Sequence, residues 1–272
     1  MGIVDKDEFL SKALNALNIE YKTHKYFNDG SYSKVLLLND EYIVKQSNPK
    51  AIEAEIVFLK QSTYDKMQQP VYVENNNNFA IYNYISGSTM KTSNFTVSTE
   101  ELIEELITLT KGYKEYESNT YGHLFEGFST WSDFLKDEVI YSEKTIKDLI
   151  PDTQVVYKCI QRLENYPFTP KLLHGDLGTH NLIQNNNKLV GIIDPMTIVG
   201  DPLYDLLSAL TSNIKILNNI SLEYLYNKID EPKDKIKNLL IVVTYIRISK
   251  CLKYHLIDIN EYLEFWESIT KL

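Results

Sequence analysis

Cysteine is almost absent from this chain: Cys159 and Cys251 are the only two in 272 residues. Two thiols build no disulfide framework, and their scarcity fits a reducing cytosol, so both read as ordinary core or helix-face thiols. The chain also lacks any run approaching the roughly 20 apolar residues that span a bilayer. Its start, Met1-Gly2-Ile3-Val4-Asp5-Lys6, has no cationic segment followed by an apolar one, hence no secretory signal. Lys6 stands where a myristoylation signal carries Ser or Thr, which removes that anchor too. A cytoplasmic location with no membrane partner is expected. Lys and Arg number 28 against 37 Asp and Glu, a net charge of −9, and the basic residues form no cluster. Nucleic acid needs a basic stripe along its phosphates, so that partner is excluded. The acidic balance serves solubility and is compatible with a cationic small partner. Hydrophobic residues make up 43% of the chain, ample for one large domain or two small ones. A monomer or homodimer is expected.

What is present is concentrated in one stretch. His174-Gly175-Asp176-Leu177-Gly178-Thr179-His180-Asn181 is followed by Gly191-Ile192-Ile193-Asp194-Pro195. The first segment sets an Asp five residues before an Asn, and the second ends a short apolar strand on another Asp. Phosphoryl transfer uses this set: one Asp accepts the proton of a hydroxyl, while an Asn amide and a second Asp hold magnesium on nucleotide phosphates. The step from Asp176 to Asn181 matches the protein-kinase loop H-R-D-L-x-x-x-N, with Gly175 in place of Arg. Asp176 is therefore the catalytic candidate, and Asn181 and Asp194 are the Mg2+ candidates. Asn185-Asn186-Asn187 turns the chain between two short apolar runs, a hairpin that presents Asp194 beside Asn181.

Together with Gly200-Asp201-Pro202-Leu203-Tyr204-Asp205-Leu206, these segments resemble the aminoglycoside phosphotransferase / choline kinase superfamily of small-molecule kinases. The motif resemblance runs from Leu172 to Leu206, with fainter matches back to about Ser31. The Asp-Pro after the apolar strand is most similar to streptomycin-type enzymes, and HGDLG followed by Asn to the 3′-type aminoglycoside enzymes. Thr179 departs from the 3′-type pattern, which commonly places an acid there to meet a substrate amine. The resemblance implies a protein-kinase-like, two-lobed α+β fold. Residues 1–86 would form a nucleotide lobe with a five-stranded antiparallel sheet and a helix, with a hinge near 83–87. Residues 87–272 would form a larger, mainly helical catalytic and acceptor lobe. It further implies transfer of the γ-phosphoryl group of ATP or GTP to a small-molecule hydroxyl. An aminoglycoside-like antibiotic is the leading acceptor; choline, ethanolamine or a sugar-like metabolite is the alternative. A pseudokinase acting as a nucleotide-binding module is the rival of another class, opposed by the presence of Lys45, Asp176, Asn181 and Asp194. No Ala-Pro-Glu segment follows Asp194 to shape a peptide platform, which speaks against a protein kinase.

Upstream, Asp5 to Asn18 reads as an amphipathic helix with Asp5 as N-cap. Strands flank Asn39-Asp40 and the run Asn75 to Asn78, with a helix from about Pro49 to Lys66 between the two hairpins. Asp29-Gly30-Ser31-Tyr32-Ser33-Lys34-Val35 occupies the place of a phosphate-covering loop. It has one glycine where kinases have three, and Ser31 and Ser33 are its hydroxyl donors. Lys45 ends the next strand, where a phosphate-pairing Lys belongs. Glu55 shares a helical side with Ile52, Ile56 and Leu59 and is chosen over Glu53 as its partner. Backbone groups around Asn83 and Ile85, in the segment Tyr82 to Gly87, would bind the base.

Downstream, helices are expected from Ser98 to about Tyr116 with a Ser98/Glu101 capping box, from Thr130 to Ile146, and from Asp152 to Asn165. Three more are expected over Leu222 to Lys228, Pro232 to Lys253 and Asn260 to Thr270. His174 is expected to brace the Asp194 turn, and Asp201 and Asp205 to serve the helix that Pro202 opens. His123, Glu126 and His180 are candidates for the acceptor site. Glu261, Glu264 and Glu267 would meet the amines of a cationic acceptor, or form a solvated face.

Overall fold

The computed structural model describes residues 6–27, 33–254 and 256–271. Helix α1 (Lys6–Leu17) buries Phe9 and Ala13; the expected cap Asp5 lies outside the described residues. Strands β1 (His24–Phe27), β2 (Lys34–Leu38) and β3 (Tyr42–Gln46) follow. Asn39 and Asp40 both take left-handed φ values, 54° and 57°, which these side chains tolerate best after glycine. The Glu41 N–H closes the turn on the Leu38 carbonyl at 3.0 Å, and pairing resumes at Leu38–Tyr42. Glu41 thus lengthens the expected two-residue loop by one.

Helix α2 (Pro49–Gln61) starts at Asn48, whose side chain accepts the Lys50 N–H at 2.9 Å, with Pro49 in its first turn. It stops short of the expected Lys66. Ser62 turns extended and its hydroxyl takes the Tyr64 N–H at 3.4 Å, the local competition by which serine ends helices. Strands β4 (Pro70–Val73) and β5 (Phe79–Asn83) complete an antiparallel sheet in the order β1-β2-β3-β5-β4. Leu36, Leu38, Val44, Phe79 and Ile81 pack on Phe9 and Ala13. The two-residue period of a strand then puts Lys45 on the other face, in register with Val35 and Ala80. Ile52, Ile56 and Leu59 of α2 join Ala80 and Tyr82 in the second core.

The rest of the chain is mainly helical. In order come β6 (Ser88–Thr89), α3 (Thr99–Lys111), β7 (Gly122–His123), α4 (Trp131–Ile146), α5 (Gln154–Leu163), β8 (Lys171–Leu173), β9 (Leu182–Asn185) and β10 (Lys188–Ile192). They are followed by β11 (Ile198–Gly200), α6 (Pro202–Thr211), α7 (Ile214–Asn218), α8 (Leu222–Lys228), α9 (Lys233–Tyr254) and α10 (Ile259–Thr270). Ser98 caps α3 as expected, but the helix ends before Tyr116, where the Gly112 N–H folds back on the Thr108 and Leu109 carbonyls. Helix α9 has no exposed residue between Ile236 and Cys251, with α4, α5, α6 and α10 packed around it. Its apolar stretch Leu239 to Val243 lies at the centre of this core, and the charged residues Lys235, Arg247 and Lys250 flank it. Among the described residues no helix is long and apolar enough to cross a membrane. Two small sheets, β10-β9-β6 and β7-β11-β8, sit at the junction with the N-terminal sheet. The junction is stitched by the Gln68 N–H to the Ile192 carbonyl and the Ile192 N–H to the Lys66 carbonyl, each 2.9 Å. The Thr197 hydroxyl adds a bond to the Ala54 carbonyl of α2 at 2.8 Å.

Asp201 caps α6 through the Leu203 N–H at 3.0 Å, with Pro202 in the first turn, as its sequence position implies. It also pairs with Lys235 of α9 at 2.9 Å, with both side chains almost fully buried. Glu231 reaches the same ammonium at 3.0 Å. Lys235→Met should lower stability by about 3–5 kcal/mol, because it strands the Asp201 charge in the interior. Urea denaturation checks this, and the double variant with Asp201→Asn should recover part of the loss.

Candidate active site

The loop between β8 and β9 is fixed by three buried polar contacts. The His174 ring places Nε2 3.0 Å from the Ile193 carbonyl, and its Nδ1 is 3.3 Å from the Asp176 N–H. A carbonyl has no proton to give, so Nε2 donates, Nδ1 accepts, and the ring is neutral. Burial lowers the His174 pKa to about 4. Next, the Gly175 N–H points at both Asp205 carboxylate oxygens, 3.1 and 3.2 Å away, while the Tyr113 hydroxyl donates to the same carboxyl at 2.9 Å. Burial pushes Asp205 up to about 7 against these bonds. Third, the Thr179 N–H donates to the Ser212 hydroxyl at 2.8 Å. Gly175 has φ +80°, and a Cβ there would lie 2.5 Å from the Met196 carbonyl oxygen, which explains why glycine replaces the Arg of the kinase loop.

This frame delivers Asp176 and Asn181 together. The Asn181 amide donates to the Asp176 carbonyl at 2.9 Å and to its carboxylate at 3.2 Å. His180 Nε2 lies 3.0 Å from the same carboxylate. Burial would raise the Asp176 pKa, but the His180 hydrogen bond, with Lys250 and His174 further off, holds it well below the usual carboxylate range. The hairpin β9–β10 turns on Asn186 and Asn187, both with left-handed φ, and the Ile193 N–H returns to the Asn181 carbonyl at 3.0 Å. Asp194 then takes φ +59°, an uncommon conformation for a residue with a Cβ.

From the opposite side comes Lys45. Its ammonium meets Glu55 at 2.7 Å and also contacts the Asp194 carboxylate. Burial alone would lower the Lys45 pKa, but Glu55 and Asp194 raise it above that of a free lysine. Glu55 is itself raised by burial, opposed by Lys45. Glu53 is exposed, so of the two acids it is Glu55 that meets the lysine.

The other expected positions have contacts of their own where they are described. Ser31 lies outside the described residues. The Ser33 hydroxyl donates to Ser47 at 2.9 Å. The Asn83 carbonyl is taken by the Gln68 amide at 2.8 Å, whereas Ile85 packs its side chain against Gly191, where a Cβ would meet it at 2.6 Å. His123 stacks edge-on against Phe134, and exposed Glu126 pairs with Lys50 at 3.3 Å. Glu261, Glu264 and Glu267 are exposed on α10; Asn218 bonds Glu261 at 2.7 Å, and Lys271 pairs with Glu267. None of the three borders the cavity beside Asp176. That cavity does take in Arg247 and Lys250 of α9, which the sequence reading passed over. Their spacing with Val243 and Ile246 marks one side of a helix, but nothing local says what that side faces.

The sequence profile of the phosphotransferase enzyme family (APH) matches residues 24–225. The chain belongs to this family. No curated protein matches it. Solved structures share the fold at low identity. The GDP complex of wild-type aminoglycoside 2′-phosphotransferase-IIIa has a TM-score of 0.60 and 16% identity, over 98% of this chain and 99% of that one. The streptomycin–ATP–APH(2″)-IIa ternary complex has 0.61 and 19%, over 98% and 96%. A thermostable mutant of aminoglycoside phosphotransferase APH(4)-Ia, in ternary complex with ADP and hygromycin B, has 0.64 and 13%, over 98% of each chain. The expected kinase-like α+β fold is therefore borne out, and this member of the phosphotransferase family builds its loop on a neutral, buried His174.

The neutrality of His174 has a measurable consequence. Its pKa is about 4 in the fold against an ordinary 6.5. Between these values the unfolded chain binds the proton and the folded one does not, so stability falls as pH drops from about 6.5 towards 4. The full effect is about 3 kcal/mol. Asp205 works with the opposite sign between its ordinary 3.8 and about 7, losing stability as pH rises. Urea denaturation across pH 4–7 of the wild type against His174→Gln isolates the histidine: the variant should lose the falling slope on the acid side.

Proposed function

We propose that this phosphotransferase is a small-molecule kinase that moves the γ-phosphoryl group of ATP or GTP to a hydroxyl. Residues 1–86 would serve as the nucleotide lobe, 83–87 as the hinge and 87–272 as the catalytic and acceptor lobe. The observation that carries the reading is one convergence: Asp176 lies 3.2 Å from Asn181, while Asp194, on the adjoining strand end, contacts Lys45, itself 2.7 Å from Glu55. All four residue types required for phosphoryl transfer are present in this arrangement, which a pseudokinase would have no reason to keep.

Lys45, fixed by Glu55, would hold the α- and β-phosphates. The Asn181 amide nitrogen is spent on Asp176; its oxygen and the Asp194 carboxylate would be the hard donors that magnesium takes. Among the described residues no group of three or more His, Cys, Asp or Glu forms a closed metal site, so phosphate and water oxygens would complete the shell. Magnesium bound there would offset charge on the phosphates. Asp176, held ionised, accepts a hydrogen bond from the acceptor hydroxyl and aims its oxygen at the γ-phosphorus. The new O–P bond forms, the bond to the nucleotide's bridging oxygen breaks, and the hydroxyl proton passes to Asp176. Relatives of the same fold are solved with GDP, ATP and ADP, which supports testing both bases. Complexes of those relatives with streptomycin and hygromycin B are the support for an aminoglycoside-like acceptor.

Two variants test the roles separately. Asp176→Asn should cut transfer by about 10²–10⁴-fold while Mg-nucleotide still binds; a rate within threefold of wild type would remove Asp176 from the chemistry. Asp194→Ala should weaken Mg-nucleotide binding at least about tenfold along with turnover, since a charged oxygen ligand is lost. Titration calorimetry with Mg-ATP and Mg-GTP reads this directly.

A further inference from the structure

The cavity that opens beside Asp176 is bordered by His180, Ser208, Arg247 and Lys250. Its polar lining thus sets two permanent cations and an imidazole against one carboxylate, Asp176, among hydroxyl residues, in a chain whose net charge is −9. The chain has only two arginines, Arg162 and Arg247, and one of them is here. Arg247 is half-buried; its Nη2 donates to the Ser212 carbonyl at 2.7 Å and its Nε to the Tyr262 hydroxyl at 3.3 Å. A guanidinium has five N–H donors, so these two bonds orient it without exhausting it. Among the described residues no carboxylate lies within ion-pair distance of Arg247 or Lys250. Glu138 of α4 is near enough for the charges of Lys250, His123 and Asp176 to act on it, and burial pushes its carboxyl towards the neutral form. Asp176 and Glu138 act on Lys250 only from beyond ion-pair distance, and half-buried cations without a direct acid partner are costly unless an anion meets them. A polycationic acceptor would instead bring its own ammonium groups against them.

We infer that the acceptor carries an anionic oxygen group, carboxylate or phosphate, besides the hydroxyl that is phosphorylated, and that Arg247 and Lys250 select it. The inference rests on the kinase reading above and narrows it. Arg247 offers the planar fork that matches either oxyanion, and Lys250 a point charge nearer Asp176. The three α10 glutamates, away from this cavity, have no part in it.

The test screens the full chain with Mg-ATP and Mg-GTP against three panels: hydroxy acids and sugar phosphates, the matching neutral polyols, and kanamycin with gentamicin. Transfer should be found in the anionic panel, and comparison of its acids with its phosphates identifies the group. For the best acceptor, Lys250→Gln and Arg247→Lys should each raise KM at least tenfold, with kcat changing much less, as expected for a contact equal in ground and transition states. Lys250→Gln removes no contact that holds the fold, so it stays informative if the Arg247 variant misfolds. Transfer confined to polyols or aminoglycosides, with KM unmoved by Lys250→Gln, overturns the inference. So does the failure of every anionic acceptor while Mg-nucleotide binds. Absence of Mg-nucleotide binding overturns the kinase reading beneath it.

Discussion

The hydrogen bond from the His174 ring to the Ile193 carbonyl, 3.0 Å long, locks together two segments already joined through the backbone by Ile193 to Asn181 and Met196 to His174. One carries Asp176 and Asn181, the other Asp194. The ring can do this only while neutral, because its other nitrogen accepts the Asp176 N–H. Full burial enforces that state, and an edge-on contact with Phe58 of α2 closes the ring off from the sheet side. Asp205 then holds Gly175 from below, and Ser212 holds Thr179. The uncommon left-handed backbone at Asp194 is tolerated because the residues before it are bonded on both sides, to His174 and to Asn181.

Much of this was legible in the sequence because it rests on local chemistry. Asn39-Asp40 and Asn186-Asn187 announce left-handed turns, Asp201-Pro202 announces a helix start, and the spacing from Asp176 to Asn181 announces a site. The choice of Glu55 over Glu53 followed from helical geometry alone. What stayed hidden depends on distant parts of the chain. The strands β6, β7, β8 and β11 are two or three residues long, too short for alternation to register, and only their partners make them strands. Gln68 reads as an ordinary polar residue, yet its amide donates to the Asn83 carbonyl in the expected hinge segment. The burial of Lys235 against Asp201 is likewise set by how α9 meets α6, which no local pattern encodes.

The position of Glu126 illustrates the same limit. Flanked by Gly122 and Gly127, it reads as part of a loop free to line an acceptor site. In the fold it pairs with Lys50 in the first turn of α2, a contact between the helix beneath the N-terminal sheet and a loop of the helical part. An exposed pair of this kind adds little stability. It does set a charge match across the junction already stitched by Thr197 and Gln68.

Arg247 and Lys250 sit on α9, the helix most enclosed by the others, and this bears on how selectivity is held. Residues that read a substrate discriminate best when their own supports cannot shift. Surface acids on α10, solvated and tied to neighbours such as Lys271, give way easily and are screened over about 8–10 Å by ordinary salt. Arg247 is held by the core itself: it is pinned by Ser212, the same residue whose hydroxyl fixes Thr179 in the catalytic loop. Any movement of the guanidinium is therefore coupled, through one serine, to the loop that carries Asp176 and Asn181. The group that recognises the acceptor and the group that activates its hydroxyl share a support, so an acceptor that fails to seat against α9 is also misplaced at Asp176.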